Sequence, residues 1–118
     1  MKIKKNSLTK EVQVDMEGAK NVTMKILIGS DDGSENIIMR YFTIQKQGHT
    51  PFHQHPYEHV IKVEKGKGVA VDESGKEHEI TPGESLFVKP NEKHQFKNTS
   101  DEPLEIVCII PNPELRMC

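Results

Sequence analysis

At 118 residues the chain has the length of one domain. Hydrophobic residues make up 34% of it, and the eight glycines raise this to roughly 41%, below the ~45–50% of an average globular domain. A compact core is therefore expected, to which a bound metal or a partner subunit would add stability. Sixteen basic residues against eighteen acidic ones leave a net charge of -2, a balance that argues against nucleic acid or an anionic membrane as the main partner.

The N-terminus, MKIKKNSLTKEVQ, has charges but no apolar run of signal-peptide length, and nothing later approaches a membrane span. A cytoplasmic protein is expected. The two cysteines, Cys108 and Cys118, do not make a disulfide framework. Residues 1–20 read as a solvated arm or an edge strand begun at Val12 and Val14. From Asn21 the chain alternates Val22, Met24, Ile26 and Ile28 with polar neighbours, which is the strand period. Ser30 to Ser34 is a turn by composition. Ile37 to Gln45 is a β-branched and aromatic run, a second strand. Gly48 marks a further turn, with His49 beside it.

After the histidine-rich segment, Val60 to Ile80 reads as strand, glycine-bounded turn, strand, turn and strand, with Glu73-Ser74-Gly75-Lys76 as a hairpin tip. Thr81 to Glu84 turns into a short strand over Ser85 to Val88. Pro90 to Lys93 turns into His94 to Lys97, and Asn91 suits a left-handed turn position. Leu104 to Ile110 is the last strand. A turn near Pro113 to Met117 is the one helical candidate, within a C-terminal tail of residues 113–118. Many short strands with regular turn signals predict an all-β barrel over residues 21–112.

The chemistry is concentrated in His53, His55 and His59, spaced H-x-H-x3-H, and in His94 far along the chain. Alternate residues of a strand share a face. His53, His55 and His59 therefore share a parity with Ile61 and Val63, while Glu58, Val60, Lys62 and Glu64 point the other way. His94, Phe96 and Asn98 form the matching inward set of their segment. Pro56 interrupts the ladder, where a bend could re-aim the ligands. A lone histidine is more often an ordinary surface or core residue. Four facing inward would repel one another if protonated and need several partners if neutral. One divalent transition metal removes both difficulties, each neutral ring giving a nitrogen at about 2.0–2.2 Å. Glu58 is the rival to His59, because a one-residue slip would exchange them. Phe42, Tyr57 and Phe96 are candidates for the pocket mouth; Ile61, Ile106 and Cys108 share the inward parity. His49 and His78 read as a loop and a hairpin residue.

Two segments resemble the paired motifs of the cupins. In the first, His53-x-His55-x3-His59-x6-Gly66 keeps the family's register, but His59 stands where the pattern has glutamate and Gly48 is one residue too near. In the second, Gly83, His94 and Asn98 keep the spacing while Lys89 and Asn91 replace its proline and glycine. The resemblance implies a single-domain double-stranded β-helix, or jelly roll, and is nearest to small cupins that hold manganese with four histidines. It leans toward manganese or iron, although four imidazoles also suit zinc, nickel, cobalt and copper. It further implies a small-molecule ligand or substrate. The last strand is apolar on both faces, Cys108 on one and Val107 and Ile109 on the other, so a homodimer is expected.

Three functions follow. Replacing a carboxylate by a fourth neutral imidazole leaves the ion's charge whole and favours an added anion. With an apolar lining, this suits a dioxygenase-like or peroxide-using oxidoreductase acting on a small apolar or aromatic substrate. The alternative is a non-catalytic binding or sensing module stabilised by its metal. A sugar-type isomerase is suggested by fold analogy alone, and the inward faces offer it no obvious base.

Overall fold

In a computed structural model that describes residues 1–113, nine strands succeed one another through short turns. They are β1 (Glu11–Gln13), β2 (Lys20–Ile28), β3 (Ile37–His49), β4 (His59–Lys65), β5 (Gly68–Val71), β6 (Glu77–Ile80), β7 (Ser85–Val88), β8 (Gln95–Asn98) and β9 (Leu104–Pro111). Hydrogen bonding runs in the order β6-β5-β8-β3-β9-β4-β7, with β2 added to β3 and β1 to β2, and every pairing is antiparallel. The strand β3 organises the barrel. Its residues 37–44 pair with β9, and His49 at its far end pairs with Lys97 of β8, so one strand serves both halves. The all-β single-domain barrel expected from the turn spacing is the architecture that forms.

Alternation builds the core. In β4, His59, Ile61 and Val63 are buried while Val60 and Lys62 are exposed. Ile44, Ile61, Leu104, Ile106, Val22 and Val63 are fully buried together, each aliphatic side chain contributing about 1.5–3 kcal/mol. Tight turns hold the strands in register. Gly66 has φ 78°, and a side chain there would overlap the carbonyl oxygen of Pro103.

Several expectations are corrected. Gly48 lies inside β3 at a bulge, preceded by Gln47 at φ 64°, because the strand must pass close to the Lys20 and Asn21 carbonyls. The β2 strand forms, but its alternation reverses at the register shift between Ile26 and Ile28. There Leu27 is buried and Ile26 exposed. Residues 54–58 are irregular, and His53 joins the sheet only through an isolated bridge. Val107 is buried within the chain, flanked across the ladder by Tyr41 and Lys62, whereas Ile109 is exposed. Of the two readings of the arm, the edge strand is the one seen: β1 pairs with β2 through Val12, and Lys4 donates to Asp32 at 3.1 Å. Of the tail only Pro113 is described; Cys118 and the rest of the expected turn lie outside the described residues. Among the described residues no helix is long and apolar enough to cross a membrane.

Candidate metal centre

The two histidine-bearing segments are joined through their backbones before their side chains meet. The His53 N–H donates to the His94 carbonyl at 3.2 Å, and the His94 N–H donates back at 2.9 Å. The Asn91 N–H donates to the His55 carbonyl at 2.6 Å, with Asn91 in the left-handed region at φ 63°. The Thr50 N–H donates to the Phe96 carbonyl at 2.9 Å, and the Thr50 hydroxyl accepts the Phe96 N–H at 2.8 Å. Residues as much as 46 positions apart are thereby joined at one corner.

At that corner the four rings assemble. Centroids are 4.3 Å apart for His53 and His55, 5.1 Å for His53 and His94, and 4.7 Å for His59 and His94. Ring nitrogens of His53, His55 and His94 all lie within 4.8 Å of one another, so these three could hold a metal ion. His59, the first residue of β4, packs on the trio, its ring centre 4.7 Å from that of His94 and 5.3 Å from that of His55. Its Nδ1 is buried and has no hydrogen-bond partner. An unpartnered buried polar atom costs about 1–3 kcal/mol, so a ligand from outside the chain fits that nitrogen. Glu58, the rival ligand, is exposed. The Nδ1 of His94 lies 2.8 Å from the Glu92 carbonyl, an acceptor, which places the proton on Nδ1 and leaves Nε2 with its lone pair.

Burial is the main force on the protons. It holds His53 down to about 4, reinforced by His55, His94 and Arg40. It holds His59 down to about 3, reinforced by His94 and Arg40. His55 and His94 are lowered by burial as well, His94 against the opposing pull of its bond to the Glu92 carbonyl. Four neutral imidazoles are the donor set a divalent transition ion requires.

Beside the rings opens a cavity of about 360 Å³. Phe42, Tyr57, Phe96, Ile106 and Cys108 line it, whereas Ile61 lies in the core and does not. Tyr57 stacks on His55 at 4.9 Å, and burial raises its phenol and the Cys108 thiol, keeping both protonated. Residues 12–16 of the arm form part of the wall. His49 and His78 stand apart, His78 paired with Asp72 at 2.8 Å on the surface. Sequence reasoning missed Arg40. It shares the parity of Phe42 in β3 and lines the cavity, donating from Nη2 to the Cys108 sulfur at 3.2 Å. Extending the inward set two residues back from Phe42 was the available signal.

Residues 40–110, more than half of the chain, match a family model described as a cupin domain. No curated protein matches the chain. Among solved structures, the polyketide cyclase RemF from Streptomyces resistomycificus is 30% identical over 94% of this chain and 79% of its own, with a TM-score of 0.89. A predicted oxalate decarboxylase from Thermotoga maritima is 22% identical over 93% of this chain and 98% of its own, with a TM-score of 0.83. A sugar phosphate isomerase from Silicibacter pomeroyi is 17% identical over 90% of this chain and 73% of its own, at 0.76. The last two likenesses are of fold alone.

Proposed function

The chain belongs to the cupin family, and from that premise we propose that it is a metal-dependent enzyme acting on a small apolar or aromatic substrate that presents oxygen to the histidine centre. His53, His55 and His94, with His59 as the fourth ligand, would hold one divalent ion. Such an ion supplies Lewis acidity toward a substrate oxygen and, when redox-active, a route for electrons. The observation that carries the reading is the opening of the neutral histidine cluster onto an apolar cavity of about 360 Å³, within the range of small-ligand sites.

The chain's own groups fit an enolisable carbonyl substrate. Phe42, Phe96 and Ile106 would exclude water around its rings, and protonated Tyr57 is a neutral hydrogen-bond donor on the wall. The likeness to a polyketide cyclase over nearly the whole chain favours ring closure of such a compound. A second reading, the dioxygenase-like or peroxide-using oxidoreductase, is favoured by the all-nitrogen donor set, which suits manganese or iron. Incubating protein of known metal content with an aromatic poly-β-carbonyl compound, with oxygen uptake followed in parallel, separates them. Cyclised product without oxygen uptake is expected. Uptake with hydroxylated or cleaved product would establish the oxidoreductase, and stoichiometric metal with no turnover would leave a binding module.

We also infer that the protein pairs with a second copy through the outer face of β7, β4, β9 and β3. Phe87, Val60 and Ile109 face each other across these strands and are exposed by 57%, 53% and 38%.

A further inference from the structure

Arg40 is a cation turned into an apolar cavity with almost nothing to hold. It sits in β3, lines the wall beside the histidines, and lies with its Cζ 5.0 Å from the centre of the Phe42 ring. Its Nη2 donates to the Cys108 sulfur at 3.2 Å, a weak acceptor that burial keeps as a neutral thiol. Its Nε is buried without a partner. Among the described residues no carboxylate pairs with it. Glu105, on the neighbouring strand, accepts from Tyr41 instead, at 3.0 Å. Asp15 also lines the cavity, but it is exposed and forms no ion pair with Arg40.

An arginine so placed is expensive. Each unsatisfied buried donor costs about 1–3 kcal/mol, more for a charged group. Imidazoles bring no negative charge to balance it, and a divalent ion among them would add to the positive charge. Hydrophobic walls offer no counter-charge. The planar fork of a guanidinium matches one partner above others, a flat anion with two oxygens. The Phe42 ring lies under the guanidinium carbon, 5.0 Å away, and would flank that anion.

We propose that Arg40 anchors the acid group of the ligand, so that the compound taken by this cavity is an apolar or aromatic carboxylate. The carboxylate takes the guanidinium N–H groups turned toward the cavity, Cys108 holding one hydrogen of Nη2 from behind. The rings of the ligand lie against Phe42, Phe96 and Ile106. This rests on the reading of the cavity as a small-ligand site and adds to it the ligand's charge and the residue that selects it. A cavity of about 360 Å³ holds roughly a dozen waters at ~30 Å³ each, room for a compound of one or two fused rings.

The test uses the full chain with its metal content measured, and compares binding of 2-naphthoate with its neutral isostere 2-naphthamide by titration calorimetry. In the wild type the acid is expected to bind at least about tenfold tighter, the size of one charge-assisted hydrogen bond. In Arg40→Gln the two affinities are expected to fall within about twofold of each other, with metal content unchanged. Arg40→Lys keeps the charge but not the fork, and its preference for the acid should be smaller than in the wild type. An undiminished preference in Arg40→Gln would mean that the acid is held elsewhere, and an undiminished one in Arg40→Lys would remove the fork. Equal binding of both probes by the wild type overturns the anchor while leaving the cavity a ligand site. Binding of neither by folded, metal-loaded protein overturns both.

Discussion

His94 is the residue whose surroundings fix its part most completely. Its backbone is bonded to His53 in both directions, its Nδ1 proton is directed to the Glu92 carbonyl, and its other nitrogen is left to the cluster. His59 lacks such an orienting bond, and its buried Nδ1 is satisfied only by something the chain does not supply. If all four rings bind one ion, replacing any of them by alanine should lower metal affinity by at least about 10-fold, the scale on which even outer-shell changes act. Glu58→Gln should leave metal content unchanged. Elemental analysis of the five purified variants is the measurement; a loss in Glu58→Gln but not in His59→Ala would exchange the two residues. The protons give a second prediction. A histidine in the unfolded chain charges near its ordinary value of about 6.5, while burial holds folded His53 to about 4 and His59 to about 3. Between those values the unfolded chain binds more protons than the folded one, so stability is lost as pH falls. Metal-stripped protein should therefore unfold at progressively lower urea concentration from pH 7 down to pH 4. A midpoint that stays constant across that window would contradict the burial of the neutral rings.

Strand parity is the reason the elements could be read from sequence at all. His59, Ile61 and Val63 in β4 and Phe96 and Asn98 in β8 fall inward because the period of two admits no other choice once one face is buried. Where the backbone leaves that period the reading fails. Gln47 takes φ 64° with a side chain that gives no hint of it, so a bulged strand looked like a turn. The reversal at Leu27 follows a register shift set by pairing with β3, a partner beyond the intervening turn that local composition does not encode. Residues 54–58 have no ladder, and it is the backbone bonds from His94 and Asn91 that aim His53 and His55. Arg40 differs again: charged residues mostly face solvent, and only its place two residues from Phe42 in β3 points to the inside. Asn98 shows that a motif residue can serve an element and not the chemistry. Its Nδ2 donates to the Ile44 and Glu102 carbonyls at 2.8 Å and 2.7 Å, and its Oδ1 accepts the Ser100 N–H at 2.9 Å. Asn98→Ala should cost about 1–3 kcal/mol by stranding the buried Ile44 carbonyl, with metal stoichiometry retained below the unfolding transition. Thermal denaturation with metal analysis separates the two effects, and loss of metal from folded variant would give Asn98 a place in the site.

At the scale of the molecule, the curled sheet has one face given to the core and one turned outward, and the outward face is not uniformly polar. Phe87 of β7 lies opposite Val60 of β4, Val60 opposite Ile109 of β9, and Ile109 opposite Met39 of β3. Cross-strand partners share a face, so these side chains form a continuous apolar row over four adjacent strands. The next row, in which Lys62 lies opposite Ser85 and Val107, carries the charge and hydroxyl expected of a solvated surface. On a chain with a modest hydrophobic fraction, a row of this kind is the surface that the proposed pairing with a second copy would use. Two copies meeting face to face would bury the row against itself, as a two-fold interface requires. Val60→Lys with Phe87→Lys would set four ammonium groups against one another across that interface. The wild type is expected to elute and scatter light as a dimer and the double variant as a monomer. Because both side chains project away from the core, metal content and the far-ultraviolet spectrum should be unchanged. A wild type that is monomeric at working concentration, or a double variant that remains dimeric, would move the association surface off this row. The histidine corner is built wholly from one chain's β3, β4 and β8 and their connections, so the monomeric variant should still bind 2-naphthoate with the affinity of the dimer.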